Sequence, residues 1–270
     1  MGYAPAAPID QRAVSIRLRV WRVCIGGTTP ADKPLKQAVV APSALSLPYP
    51  PQGVEGYPRE RFLEDLIGEA ERDIRSCFDA GAATVQMDFI EGRLAVKLDP
   101  SKGLLREFVR INNLLLSRFE APLRMRIGIH TCPGGDRDAT HSADVDYAEL
   151  LPDLFEMRAG RFFIQLASEP NKDRVLEVVR KHRKPDQVVF VGVIDPIDST
   201  IESPELVREV VLQAARYIPL DRLGITDDCG FSPFGDDLST ARDVAFAKIC
   251  ARVEGATSLN RCWRLRADAP

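Results

Sequence analysis

Short apolar runs alternate with amphipathic stretches along the chain from residue 37 onward. The stretches between the runs have the apolar spacing of helices, at roughly 58–80, 103–118, 146–158, 171–183, 204–217 and 238–253. Apolar strands separated by helices predict a parallel sheet with helices packed on it. The sequence therefore predicts an α/β fold. The apolar runs are QAVVA (37–41), ATVQMDF (83–89), RMRIGIH (124–130), RFFIQLA (161–167), QVVFVGVI (187–194) and RLGITDD (222–228).

The number of strand–helix units favours a TIM-type (β/α)8 barrel that is incomplete at the N-terminus. Six units are clear, and VSIRLRVWRV (14–23) is a candidate seventh strand without a convincing helix after it. A doubly wound sheet would show the same alternation, but the chain has no glycine-rich turn of the dinucleotide-binding type. A βα unit takes about thirty residues, so two more units do not fit before residue 37. We expect a barrel that is open or completed by another chain.

This count divides the chain into three segments. We predict an irregular N-terminal segment over 1–36, the barrel over 37–256 and a C-terminal tail over 257–270. A chain of 270 residues with 45% hydrophobic content can bury one large core, which agrees with a single domain.

Composition and charge narrow the function classes. The net charge of −3 argues against a nucleic-acid surface, and no apolar run is long enough to span a membrane. The six cysteines lie at wide, irregular spacings, which fits free thiols or metal ligands better than a disulfide framework. We expect a cytoplasmic protein that acts on small molecules, and its oligomeric state stays open between a monomer and a homo-oligomer.

Residues with metal-binding side chains follow several predicted strands. If these strands are parallel neighbours, the residues meet at one rim of the barrel. Thiolate, imidazole and carboxylate are the usual ligands of zinc. His130 and Cys132 are two positions apart, which puts both side chains on one face of an extended strand end. Each residue alone also fits an ordinary role, such as a buried cysteine or a glutamate near a helix start. Together they predict a zinc site formed by His130, Cys132, Glu169 and Cys229.

Two motifs carry a family resemblance. GIHTCPGGDRDATHSADVDYAELLPDLF (128–155) and ITDDCGFSPFG (225–235) resemble the catalytic barrel of cobalamin-independent methionine synthases, in particular their short single-barrel branch. That barrel is similar in fold to uroporphyrinogen decarboxylase. The resemblance implies zinc held by His130, Cys132, Cys229 and a glutamate on the next strand, for which Glu169 is the carboxylate present. It also implies methyl transfer from a folate or similar donor to homocysteine, whose amino group Asp88 would hold.

The sequence departs from the family where DEPA is replaced by DFIE at residues 88–91. Related zinc enzymes alkylate other thiols, as epoxyalkane:coenzyme M transferase does. Three functions therefore stay open: an S-methyltransferase of methionine-synthase type, a zinc thiol alkyltransferase with another electrophile, and an inactive truncated barrel. We further expect Ser43 to bind the substrate carboxylate and Asp195 or Asp228 to act as a general acid. Either aspartate could instead hold loops through hydrogen bonds, and Ser43 could be a turn residue.

Overall fold

The computed structural model describes residues 34–132, 134, 142–231 and 241–267, with side chains through residue 259. The candidate strand at 14–23 lies outside these residues. So does most of the segment between the glycines that follow Cys132 and the start of the next helix.

One parallel sheet of six strands forms the centre of the described structure, and its strands are neighbours in the order of the sequence. Each strand overlaps a predicted apolar run, so the α/β prediction is confirmed. The register places Asp88 beside His130 and Thr131 beside Ile164. Consecutive parallel strands bring their carboxyl ends to one edge, where the candidate residues lie. The strands are β1 (Lys36–Val40), β2 (Thr84–Asp88), β3 (Ile127–Thr131), β4 (Arg161–Ile164), β5 (Val188–Gly192) and β6 (Leu223–Thr226).

Helices follow the strands and pack on one face of the sheet. They are α1 (Pro42–Ser46), α2 (Arg59–Asp79), α3 (Glu91–Leu98), α4 (Gly103–Leu116), α5 (Ala121–Arg124), α6 (Tyr147–Leu154), α7 (Lys172–His182), α8 (Pro204–Ala214) and α9 (Arg242–Ala267), with a 3-10 turn at Leu220–Arg222. Side chains accept hydrogen bonds from the first turns of three helices: Asp146 for α6, Asn171 for α7 and Ser203 for α8. Helix α9 continues through residue 256, where the predicted tail was expected to begin. The division into three segments stays a prediction.

The two faces of the sheet differ in chemistry because side chains alternate along a strand. One face is apolar and fully buried, with Val85, Met87, Ile127 and Ile129 packed in a single hydrophobic core beneath the helices. The opposite face carries polar residues, among them Gln86, Asp88 and His130, and the stacked rings of Phe163 and Phe190, whose centroids are 4.7 Å apart. The polar face is therefore the interior of the barrel and leads to the rim.

The sheet has two free edges within the described part of the chain. β1 pairs with β2 alone and β6 with β5 alone among these residues. Strand β1 is also more exposed than β3, all of whose residues are buried. No helix among the described residues is long and apolar enough to cross a membrane.

Candidate metal centre

Three of the four predicted metal ligands converge at the carboxyl end of the sheet. His130 lies in β3 and Cys132 directly follows it, so the two side chains share one face of the strand end. Cys229 follows β6, and its sulfur is 3.3 Å from that of Cys132. The candidate ligand atoms of His130, Cys132 and Cys229 all lie within 4.8 Å of one another.

The imidazole of His130 is oriented as a metal ligand requires. Its Nδ1 donates a hydrogen bond to the carbonyl oxygen of Phe163 at 3.2 Å. Its Nε2 is buried and has no hydrogen-bond partner among the described residues. A buried nitrogen without a partner is costly, whereas histidine ligands commonly donate their other nitrogen to a backbone carbonyl. Nε2 is thus free to bind a metal ion.

The charges at the centre favour a thiolate. The hydrogen bond with Cys132 is the largest effect and lowers the pKa of Cys229; burial opposes it, and the neighbouring imidazole of His130 lowers the pKa further. The same hydrogen bond, together with burial, raises the pKa of Cys132. Burial acts to lower the pKa of His130, but Cys229 and Asp88 outweigh it and the net direction is upward. Two sulfurs and an imidazole form a donor set that zinc prefers, so these residues fit a zinc ion.

The fourth predicted ligand, Glu169, lies with other partners. Its Oε1 accepts hydrogen bonds from Nη1 of Arg93 and from Nε2 of Gln165, both at 3.0 Å. The carboxylate is nearly buried and is not part of the group of three ligand residues. The structure pairs Glu169 with a guanidinium instead, so a role as metal ligand stays a prediction without support from this geometry.

Asp88, the predicted substrate contact, lies beside the candidate metal centre. It ends β2, is the register partner of His130, and accepts a hydrogen bond on Oδ1 from Gln86 at 2.6 Å. Burial raises the pKa of Asp88, while Gln86 and His130 oppose that rise.

The hydroxyl of Ser43 is hydrogen-bonded to other buried side chains. It is fully buried in α1, where it donates to the carboxylate of Glu91 and accepts from Nδ2 of Asn112 at 2.8 Å. These bonds occupy the hydroxyl inside the fold. Its proposed contact with a substrate carboxylate therefore gains no support from the structure.

The two candidate general acids differ in how fully they are hydrogen-bonded. Both line a small recess with Cys132 and Cys229, which has about 10 Å³ of water-accessible space. Asp228 accepts from the backbone of Leu166, Ala167 and Ser168 and from the Ser168 hydroxyl, at 2.7–2.9 Å. Asp195 accepts on Oδ1 from the backbone of Ile197 at 2.9 Å. The four hydrogen bonds of Asp228 fit a loop-holding role, while burial raises its pKa to about 6. Which of the two aspartates acts as a general acid stays a prediction.

Two residues that the sequence did not single out line the cavities beside the centre. Gln165 directly follows Ile164, the register partner of Thr131, and lines both the recess and a neighbouring cavity of about 440 Å³. A polar residue inside the run RFFIQLA was an available signal for it. Arg93 lies in α3 and lines the larger cavity. Nothing in the sequence around it indicated this place.

Residues 16–245 match the family model described as the catalytic domain of cobalamin-independent synthases. The chain belongs to this family. The match covers most of the chain and includes β1 to β6, so the whole polar rim lies within the cobalamin-independent synthase domain.

Individual relatives agree with this assignment. The methionine synthase of Methanothermobacter thermautotrophicus is 23% identical over 233 residues, which cover 85% of this chain and 65% of that protein. The 2-hydroxypropyl-CoM lyase of Xanthobacter autotrophicus is 31% identical over 108 residues, which cover 39% of this chain and 27% of that protein. The chain thus spans about two thirds or less of the length of these relatives.

A solved structure of the family shares the fold. The B12-independent methionine synthase from Shewanella sp. W3-18-1, in complex with selenomethionine, superposes with a TM-score of 0.67 at 17% identity. The likeness covers 92% of this chain and 67% of that one. The predicted TIM-type barrel is therefore confirmed, with six of its parallel strands in the described residues.

Proposed function

We propose that this cobalamin-independent synthase domain is a zinc-dependent S-methyltransferase of methionine-synthase type, which transfers a methyl group from a folate or similar donor to homocysteine. One observation carries the proposal: His130, Cys132 and Cys229 converge, and the buried Nε2 of His130 has no partner among the described residues. The family and its methionine synthase members support the reaction class. A cytoplasmic location, expected from the sequence, belongs to this proposal.

The chemistry follows from the donor set and from the residues beside it. A zinc ion held by His130, Cys132 and Cys229 would lower the pKa of an incoming thiol and keep it as a thiolate at neutral pH. Asp88, beside His130, would accept hydrogen bonds from the ammonium group of an amino-acid thiol and so orient its sulfur. The thiolate sulfur would attack the methyl carbon in line, so that a carbon–sulfur bond forms as the bond from that carbon to the donor, a nitrogen in a folate, breaks. Asp195, in the recess, would supply a proton to that nitrogen.

A second candidate is a zinc thiol alkyltransferase that uses another electrophile. The similarity to 2-hydroxypropyl-CoM lyase favours it. That enzyme is 31% identical over 108 residues, against 23% over 233 residues for the methionine synthase. The two candidates share the metal centre and differ in the thiol substrate. Only the first requires recognition of an amino group.

Metal content tests the centre itself. Protein purified without chelator should contain about one zinc ion per chain, measured by elemental analysis, and a Cys132→Ser/Cys229→Ser double variant should lose it because two of three ligands are gone. Cys250→Ser is the matched control, since Cys250 is an exposed cysteine on α9. A double variant that keeps the zinc content of the control would contradict the assignment. A screen of thiols against methyl and alkyl donors then identifies the reaction.

The thiol selectivity of an Asp88→Asn variant separates the two candidates. Loss of a charged hydrogen bond costs about 1.5–3 kcal/mol, so KM for homocysteine should rise roughly 10- to 100-fold. KM for a simple alkyl thiol should stay near that of the unmodified chain. Asp221→Asn, at an exposed position, is the control. Equal effects on both thiols would favour the alkyltransferase.

A further inference from the structure

Arg93 is a buried arginine whose guanidinium is fully engaged. Its exposed fraction is 3%, and it makes five hydrogen bonds, which equals the number of N–H groups of a guanidinium. Nε donates to the carbonyl of Val145 at 3.0 Å, and Nη2 donates to the carbonyls of Ala143 and Val145. Nη1 donates to the side chains of Gln165 at 3.4 Å and Glu169 at 3.0 Å.

Arg93 and its partners lie after three successive strands, with the partners in the two connections that follow β3 and β4. Arg93 itself is in α3, which follows β2. Residues 143–145 lead into α6 on the carboxyl side of β3, the strand that ends beside Cys132. Gln165 and Glu169 follow β4. One side chain therefore ties together the rim segments after β2, β3 and β4.

Glu169 supplies the countercharge that makes this burial tolerable. Its carboxylate is 6% exposed and accepts from both Arg93 and Gln165. A buried charge is tolerated when an opposite charge and hydrogen bonds satisfy it. Gln165, held by Arg93 and Glu169, lines the recess that contains Cys132 and Cys229. The pair thus contacts Gln165, which borders the two cysteines, and the segment before α6.

We propose that Arg93 and Glu169 are a positioning pair that fixes the rim around the two cysteines, and that Glu169 acts through Arg93 and not as a metal ligand. The functional meaning of this pair rests on the proposed zinc centre. Partners that orient the groups around a metal typically change its affinity about 10- to 100-fold when they are removed. A lost ligand, in contrast, changes the coordination itself.

Zinc affinity and cobalt spectra distinguish the two roles of Glu169. Glu169→Gln should keep one zinc per chain and leave the visible spectrum of the cobalt(II)-substituted protein unchanged, because no ligand has been replaced. Arg93→Met should weaken zinc binding about ten-fold or more, measured by competition with a chromophoric chelator. Arg180→Met is the control, because Arg180 forms an exposed ion pair with Glu177 on α7. Loss of zinc from Glu169→Gln equal to that from Cys132→Ser would overturn the proposal.

Hydrogen exchange tests the pair without any metal. In the zinc-free protein, amides of residues 142–146 and 165–169 should exchange faster in Arg93→Met than in Arg180→Met, while β5 stays unchanged. If Arg93→Met does not fold, an Arg93→Met/Glu169→Met double variant removes the charge imbalance and takes its place. Unchanged exchange in these segments would overturn the positioning role. A chain that binds no zinc but shows the expected exchange would refute the proposed function and leave the pair standing.

Discussion

At the scale of single residues, the buried carboxyl group of Glu91 should make the stability of the fold depend on pH. Its exposed fraction is 3%; Oε1 accepts from Ser43, and Oε2 is buried without a partner among the described residues. Burial raises the pKa of Glu91 from 4.5 to about 7. The folded chain therefore holds this proton at a pH where the unfolded chain has released it.

This difference predicts a loss of stability as pH rises. Between the unfolded pKa of 4.5 and the folded value of about 7, the folded state binds more protons, so the free energy of unfolding falls with rising pH. One pKa unit corresponds to about 1.4 kcal/mol, so the fall is on the order of 3 kcal/mol. Glu91→Gln should remove it and be more stable than the unmodified chain above about pH 7.

Urea unfolding at a series of pH values measures this effect. Glu209→Gln is the control, since Glu209 is exposed on α8. The slope of stability against pH should flatten in Glu91→Gln and persist in the control. Parallel pH profiles for the two variants would show that burial does not hold the Glu91 proton.

At the scale of elements, the side chain of Asp228, which follows β6, lies across Gly192 at the end of β5 and accepts hydrogen bonds from the connection after β4. A Cβ atom added at Gly192 would lie 1.7 Å from Oδ1 of Asp228. No side chain fits there unless the carboxylate moves, and that carboxylate accepts four hydrogen bonds. The position of the Asp228 carboxylate therefore requires a glycine at residue 192.

Gly192→Ala should therefore destabilise the fold. Displacing the carboxylate strains the site and breaks several hydrogen bonds, so the free energy of unfolding should fall by roughly 2–4 kcal/mol. Gly68→Ala in α2 is the control, because the nearest atom to its added Cβ is 4.0 Å away. That change should be neutral or stabilising by up to about 1 kcal/mol. Denaturant unfolding compares the two, and similar losses would contradict the steric explanation.

At the scale of the whole molecule, the sequence predicts strands and rim residues well because both follow from periodicity and from parallel order. His130, Cys132 and Cys229 each follow or end a strand, so their convergence needs only neighbouring parallel strands. The partners of Glu169 and Ser43 were not predictable in this way. Arg93 lies 76 positions from Glu169, and Glu91 lies 48 from Ser43. Spacing places a residue at a strand end but does not select which buried group it contacts.

The distance along the chain between the two sulfurs has a consequence for biosynthesis. Cys132 and Cys229 are 97 positions apart and lie at the ends of β3 and β6, with β4 and β5 between them. A chain made from its N-terminus would present His130 and Cys132 long before Cys229 leaves the ribosome. Closing so long a loop carries an entropy cost that the intervening strands must already have met. Capture of the proposed metal would then be a late event, and it would report that the sheet has been completed as far as β6.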